Sequence, residues 1–269
     1  MTSQSMVQRS LLFSWRTAAA CLLCLSAVFS LPGCVTTTTG GFEPEVSLKQ
    51  AVIDYSRLAQ AYLEAGDLAS ARRHANNALA IDSDAAASIE ALALVAQREG
   101  DDELADELFR RALRAEPEAS RIRNNYAAAL FAEGRLDEAR TQLRRVVADT
   151  AYEGRAQSYE NLGLVALQMQ SSEQAREAFT RAQQLDDSLV QSALELGILN
   201  IEQQNWDAAR VQFERYLAAR ETRGLSDTVN HSAAALLAGR ALALQAGDEA
   251  AAATWERALR TLYPEFELK

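Results

Sequence analysis

Residues 124–146 read NNYAAALFAEGRLDEARTQLRRV, and this stretch decides the fold. Apolar residues recur every three or four positions on both sides of Gly134, as expected for two amphipathic helices joined by a short turn. Ala127 and Ala139 place small side chains where the two helices would cross, and small side chains allow close approach. The stretch therefore predicts a helical hairpin.

The hairpin pattern recurs along the chain at a nearly constant spacing, and only the interval from Ala127 to Gly163 is slightly longer than the others. Five units place a small residue late in the first helix: Ala59, Ala93, Ala127, Gly163 and Gly197. The second helix of each unit carries an early alanine: Ala71, Ala105, Ala139, Ala175 and Ala209. Four positions later, three units have a large residue: Phe109, Phe179 and Phe213. Self-similarity at a fixed period of this length indicates a stacked repeat architecture.

A sixth, less regular unit is built on Gly239, Trp255 and Ala258, after an insertion near 221–231. A terminal repeat presents one face to water, so an irregular last unit is expected. The whole pattern resembles the tetratricopeptide repeat. This resemblance implies an all-α tetratricopeptide-repeat α-solenoid. Residues 47–269 would then form about six helix hairpins and one right-handed superhelix.

The composition fits closely packed helices, since 48% of the residues are apolar but only 7% are aromatic. The formal net charge is −10. Nucleic-acid binding needs cationic surface to contact phosphates, so we expect no nucleic-acid partner. The three cysteines are Cys21, Cys24 and Cys34, which leaves the repeat region without a disulfide or a cysteine-based metal site.

Residues 1–33 have the features of a secretory signal peptide. Arg9 and Arg16 lie in a stretch without acids, and an apolar run from Thr17 to Leu31 follows. This run is shorter than the ~20 residues that a membrane-spanning helix needs. Leu31-Pro32-Gly33-Cys34 then resembles the lipobox of bacterial lipoproteins, which implies lipidation of Cys34. The alternative is an ordinary cleavage site that happens to precede a cysteine.

Residues 34–46 are rich in turn-prone and polar residues and lack apolar periodicity, so they are predicted to form a flexible tether. In bacterial lipoproteins, the residue after the lipidated cysteine influences sorting between the two membranes. Val35 is not the aspartate that is associated with retention in the inner membrane. The resemblance therefore implies a lipid-anchored protein on the periplasmic face of the outer membrane.

In tetratricopeptide arrays, the first helices line a concave face, and the resemblance assigns a partner-binding groove to this face. The groove residues would be Leu94, Asn124, Phe131, Glu160, Leu164, Leu167, Ile198 and Ile201. The set is mainly apolar, which favours an apolar stripe of a partner helix or strand as ligand. Alternatively, half of these residues are core between repeats. Asn124 would bind a partner backbone or cap a helix.

The sequence offers no arrangement of residues that is typical of catalysis. His74 and His231 are the only histidines, and each stands alone. No nucleotide-binding, metalloprotease or nucleophile-elbow motif is present. We therefore expect a binding protein and not an enzyme, with no cofactor, no metal ion and no small-molecule substrate.

Three stretches resemble one family within the repeat class. They are residues 124–127 with their continuation to 149–152, residues 160–169, and residues 260–264. With the lipobox and six repeats, they are similar to the type IV pilus biogenesis and stability lipoproteins, also called secretin pilotins. The resemblance implies that the protein binds the pilus secretin subunit and promotes its outer-membrane localisation and multimerisation. Glu153 departs from the proline that the family often has there.

A second hypothesis belongs to a different functional class. Lipidated tetratricopeptide arrays also serve as structural subunits of other envelope complexes, such as the machinery that inserts outer-membrane proteins. A related possibility is an accessory that regulates cell-wall synthesis. Identification of the bound partner, a secretin, an insertion protein or a murein synthase, separates these hypotheses.

The lipobox generates the first prediction. Cys34→Ala removes the acyl chains, each buried CH₂ of which contributes about 0.8 kcal/mol to membrane binding. We expect a folded protein that no longer fractionates with the outer membrane, as measured by density-gradient separation and immunoblotting. Unchanged membrane association would refute the lipoprotein interpretation.

Overall fold

The computed structural model describes residues 47–225 and 231–266, which form twelve α-helices and no strand. The first six helices are α1 (Leu48–Glu64), α2 (Leu68–Ile81), α3 (Ala86–Glu99), α4 (Asp102–Ala115), α5 (Ser120–Ala132) and α6 (Leu136–Ala148). The other six are α7 (Arg155–Gln168), α8 (Ser172–Leu185), α9 (Val190–Glu202), α10 (Trp206–Thr222), α11 (Ala233–Gln245) and α12 (Glu249–Leu262). The predicted signal peptide, the tether and Cys34 lie outside the described residues.

Consecutive helices pair into six hairpins, from α1–α2 to α11–α12. Each odd-numbered helix also contacts the odd-numbered helix of the next hairpin. The even-numbered helices in the described part of the chain make no such contacts with one another. The odd-numbered helices therefore form the inner, closely packed layer of the array, and the even-numbered helices are spread apart on the outer side.

The two helices of each hairpin cross at the small residues of the repeat pattern. Ala59, Ala93 and Ala127 in the first helices are fully buried. The matching alanines of the second helices, from Ala71 to Ala209, are at most 1% exposed. The crossing of α7 and α8 is tighter, because a Cβ atom on Gly163 would lie only 2.6 Å from the ring of Phe179. The repeat pattern thus marks the crossing points correctly.

The core consists of apolar clusters that neighbouring hairpins share. Phe109 and Tyr126 stack with ring centroids 5.3 Å apart, and both belong to a cluster that joins the second and third hairpins. Phe179 occupies the equivalent place between α7 and α9, and Phe213 packs against α11. Since every cluster needs residues from two hairpins, no hairpin can bury its apolar face alone.

The turns inside the hairpins follow a shared design with departures in the third to fifth hairpins. Asp67, Asp101 and Asp248 cap the helices that follow them by accepting a hydrogen bond from a backbone N–H three residues later. Gly66 and its equivalents adopt left-handed backbone angles before these caps. Gln170 and Gln204 take the same left-handed conformation in the fourth and fifth hairpins, with φ of 57° and 58°. The prediction of an all-α solenoid of about six hairpins is confirmed.

The different space around two equivalent glycines generates a stability prediction. Gly163→Ala should lower the free energy of unfolding by about 1–3 kcal/mol, because the new methyl group collides with Phe179. Gly197→Ala is the matched control, since its Cβ would have its nearest neighbour 3.7 Å away. We expect this control to gain up to about 1 kcal/mol from helix propensity. Urea unfolding followed by circular dichroism measures both; equal effects would contradict the crossing geometry.

Candidate partner-binding groove

Two rows of apolar side chains run along the inner layer of helices. The first row holds Leu94, Leu164 and Ile198 on α3, α7 and α9, at equivalent positions of the repeat. Three residues further along, the second row holds Phe131, Leu167 and Ile201. All six side chains are half-buried. The rows leave apolar surface exposed on the inner face of the array, as the groove prediction requires.

Each of these side chains also packs against the core. Leu94 and Phe131 contact the cluster that joins the second and third hairpins. Leu164 and Leu167 contact the cluster around Phe179. The two isoleucines contact the cluster around Phe213. Each of these six side chains is therefore partly core between repeats and partly exposed surface of the predicted groove.

The structure corrects the roles predicted for the two polar groove residues. Glu160 is only 6% exposed, and its Oε2 atom accepts hydrogen bonds from the backbone N–H and the hydroxyl of Ser192, at 2.8 and 2.7 Å. Asn124 lies inside α5 rather than at its cap, and its Oδ1 atom accepts from Ser158 and Asn161, at 2.9 and 3.3 Å. Both residues thus join neighbouring hairpins, and Glu160 is too buried to meet a partner.

These bonds belong to a series of polar contacts that we call the polar seam. It runs between successive inner helices, one helical turn before the first apolar row. Its contacts are Ser56–Ser88, Glu90–Arg121, Glu90–Asn125, Asn124–Ser158 and Glu160–Ser192. Sequence reasoning missed the seam. The available signal was a polar residue three positions before the small crossing residue in each of the first four hairpins.

Glu90 is the most deeply buried charged residue of the seam, with no exposed surface. Burial raises the pKa of its carboxyl group, and the ion pair with Arg121 and the hydrogen bond from Asn125 only partly oppose this effect. A buried carboxylate is costly unless it is paired, which explains why two side chains from α5 converge on it. Glu90 therefore makes the stability of this junction dependent on pH.

A pocket at the start of the array was also not predicted from the sequence. Its volume is about 650 Å³, and its apolar lining includes Leu48, Val52, Ile53 and Ile81. Leu48 is 67% exposed and Ile53 is 36% exposed. The described part of the chain has no hairpin before α1 that could cover these side chains. The pocket extends the apolar inner face to the first hairpin.

The described residues show no candidate metal-binding cluster. They contain no group of three histidine, cysteine or acidic side chains that could hold a metal. His74 stacks on Tyr62, with ring centroids 5.1 Å apart. His231 is buried, and its Nδ1 atom lies 2.7 Å from the hydroxyl of Tyr216. None of the described helices is both long and apolar enough to cross a membrane.

Comparison with known proteins identifies the type of repeat and the family of the chain. Two models described as tetratricopeptide repeat match residues 96–158 and 160–224. The chain is also 33% identical to the type IV pilus assembly protein PilF of Pseudomonas aeruginosa over 249 residues, which cover 92% of this chain and 95% of that protein. The chain belongs to the PilF family of tetratricopeptide-repeat proteins. It therefore has a role in type IV pilus biogenesis.

Solved structures agree with the tetratricopeptide fold. The structure of P. aeruginosa PilF matches with a TM-score of 0.75 and 32% identity, over 81% of this chain and 95% of that chain. PilW, described as a widely conserved type IV pilus biogenesis factor, matches with a TM-score of 0.67 and 23% identity, over 81% and 96% of the two chains. Tetratricopeptide scaffolds of pilus biogenesis act by binding proteins and are generally not enzymes.

The buried carboxyl group of Glu90 generates a pH prediction. Its pKa in the folded state lies above the ordinary value, so the associated stabilisation is complete at low pH and is lost as pH rises through the folded pKa. Glu90→Gln keeps the shape but cannot ionise. We expect the variant to gain free energy of unfolding, relative to the wild type, between pH 4 and pH 7. Urea unfolding at both pH values measures this gain; a constant difference would contradict the prediction.

Proposed function

We propose that this PilF-family protein is an outer-membrane lipoprotein that acts as a secretin pilotin. It binds the pilus secretin subunit through its inner face and promotes the localisation and multimerisation of that subunit in the outer membrane. The observation that carries the proposal is the pair of half-buried apolar rows on the inner helices of a protein from a type IV pilus assembly family. No catalytic turnover is required.

The inner face suits an apolar segment of the secretin subunit. The pocket beside α1 offers exposed apolar side chains and the two apolar rows offer half-buried ones, as is usual in helix- and strand-binding grooves. Such a groove shields the segment from water, and thus from aggregation, before the ring is complete. The six side chains of the two apolar rows carry no charge, so an internal apolar segment fits them better than a terminal carboxylate does.

The lipid on Cys34 would determine where this binding takes place. A single acyl chain gives only marginal and reversible membrane binding, whereas several chains anchor a protein stably. The secretin subunit would be captured by the groove and kept at the outer membrane by the anchor. Residues 34–46 would give the array freedom to follow the subunit as the ring assembles.

A deletion strain tests the proposal. We expect loss of the heat-resistant secretin multimer, accumulation of free subunits and loss of twitching motility, as measured by immunoblotting and by stab assays. Complementation with Ile53→Asp should fail, because a bound apolar segment would remove water from the new carboxylate at the apolar pocket, which opposes binding. Val211→Asp is the matched control, since Val211 is a 48% exposed apolar residue of the outer helix α10.

The result is interpretable only if both variants reach wild-type abundance, which the same immunoblots show. An intact multimer in the deletion strain would refute the pilotin role and favour a scaffold of another envelope complex. Failure of both variants despite normal abundance would show that the apolar pocket has no special part in secretin binding.

A further inference from the structure

A second pocket lies on the outer side of the array, away from the groove. It is enclosed by α6, α7 and α8 and has a volume of about 540 Å³. Its floor includes Leu162 and Ala166 of α7. Each is two residues from Leu164 of the groove, which corresponds to about 200° around a helix. Because α6 and α8 do not contact each other, the back of α7 stays accessible between them.

Four arginines line this pocket, which we call the arginine pocket: Arg140, Arg144, Arg155 and Arg181. The only acid in its lining is Glu177, which forms no ion pair with any described residue. The Arg155 guanidinium donates to the carbonyl oxygen of Val147 at 2.8 Å and lies 5.6 Å from the ring centre of Tyr159. These contacts hold a charged group in place without neutralising it.

The other three arginines keep most of their binding capacity. Arg140 pairs with Asp137 at 2.6 Å, but Asp137 is 79% exposed, so water and salt weaken this pair. Among the described residues, Arg181 donates only to Gln184, at 3.0 Å. Arg144 has no hydrogen bond or ion pair with any described residue. The pocket therefore combines high positive charge with unused donors.

The junction one repeat earlier, between α4, α5 and α6, shows that this cluster of arginines with unused donors is not a general property of the repeat. There, Asp106 occupies the position that Arg140 takes one repeat later. Asp106 accepts hydrogen bonds from Tyr126 and Arg135, both at 2.7 Å, and pairs with Arg110 at 3.0 Å. The arginines at that junction are therefore paired with an acidic residue of the protein itself. At the arginine pocket, the positive charge faces solvent.

We propose that the arginine pocket binds a short acidic peptide segment of a partner protein. Guanidinium groups pair with carboxylates through two parallel hydrogen bonds, and Arg144 and Arg181 retain unused donors for such pairing. Leu162 and Leu185, the latter 49% exposed, would receive an apolar side chain of the same segment. The volume lies within the range of about 300–1,000 Å³ that is usual for ligand pockets.

The charge of the rest of the chain favours a short peptide over an extended polyanion. The chain carries 37 acidic and 27 basic residues, so a nucleic acid or an anionic membrane would meet repulsion beyond the pocket. A short peptide has to be complementary only to the pocket itself. Since the groove lies on the opposite side of α7, both sites can be occupied at once.

Fluorescence anisotropy tests the proposal with the full chain in non-ionic detergent. The probe is a fluorescein-labelled octapeptide of alternating glutamate and leucine, and its counterpart carries glutamine in place of glutamate. We expect the glutamate peptide to bind at least tenfold more tightly than the glutamine peptide. The double variant Arg144→Glu with Arg181→Glu should weaken that binding at least tenfold, with the helical circular dichroism unchanged.

A second double variant, Arg210→Glu with Arg257→Glu, makes the same change of charge on exposed arginines of α10 and α12 and should bind as the wild type does. If both double variants weakened binding of the glutamate peptide equally, the net charge of the protein would explain the loss of affinity, and the proposal would be overturned. Equal binding of the two peptides would also overturn it. If the protein bound phosphatidylglycerol vesicles through Arg144 and Arg181 but did not bind the peptide, the ligand of the pocket would be an anionic membrane surface, and the peptide proposal would be wrong.

Discussion

The architecture depends on how closely two helices can approach at one crossing in each hairpin. At the fourth hairpin, Gly163 has no side chain at all, and the ring of Phe179 fills the space that a methyl group would need. Alanines in both helices serve the same purpose in the first three hairpins. This close approach lets successive inner helices touch while the outer helices stay apart. The apolar inner face and the openings between outer helices both follow from it.

The polar seam adds specificity to an array whose energy comes mainly from apolar burial. Hydrogen bonds between buried partners contribute about 0.5–1.5 kcal/mol each, but an unpaired partner costs about 1–3 kcal/mol. Misplaced hairpins would leave Glu90 or Glu160 buried without its donors, which is a large penalty for a wrong arrangement. The seam therefore opposes alternative packings more strongly than it stabilises the native one.

The sequence was sufficient to predict the helices, the period and the crossing residues, because the repeat imposes these features on each unit separately. It was insufficient for Asn124 and Glu160, whose roles depend on which residue the next hairpin places opposite them. The exposed pocket beside α1 was missed for a related reason. Leu48 and Ile53 occupy ordinary positions of an amphipathic helix, and only the three-dimensional arrangement shows that they remain uncovered. Contacts between units are therefore harder to predict than the units themselves.

The polar seam also gives the array a fixed order. Although the hairpins share one plan, each junction uses its own pair of groups: two hydroxyls at Ser56–Ser88, an amide and a hydroxyl at Asn124–Ser158, and a carboxylate with two donors at Glu160–Ser192. At the next junction, buried Leu194 takes the equivalent position and the polar series ends. The repeats are consequently not interchangeable. A unit moved to another place in the chain would meet a neighbour with the wrong chemistry, so shuffling or duplicating hairpins would disrupt the array even where every helix kept its own sequence.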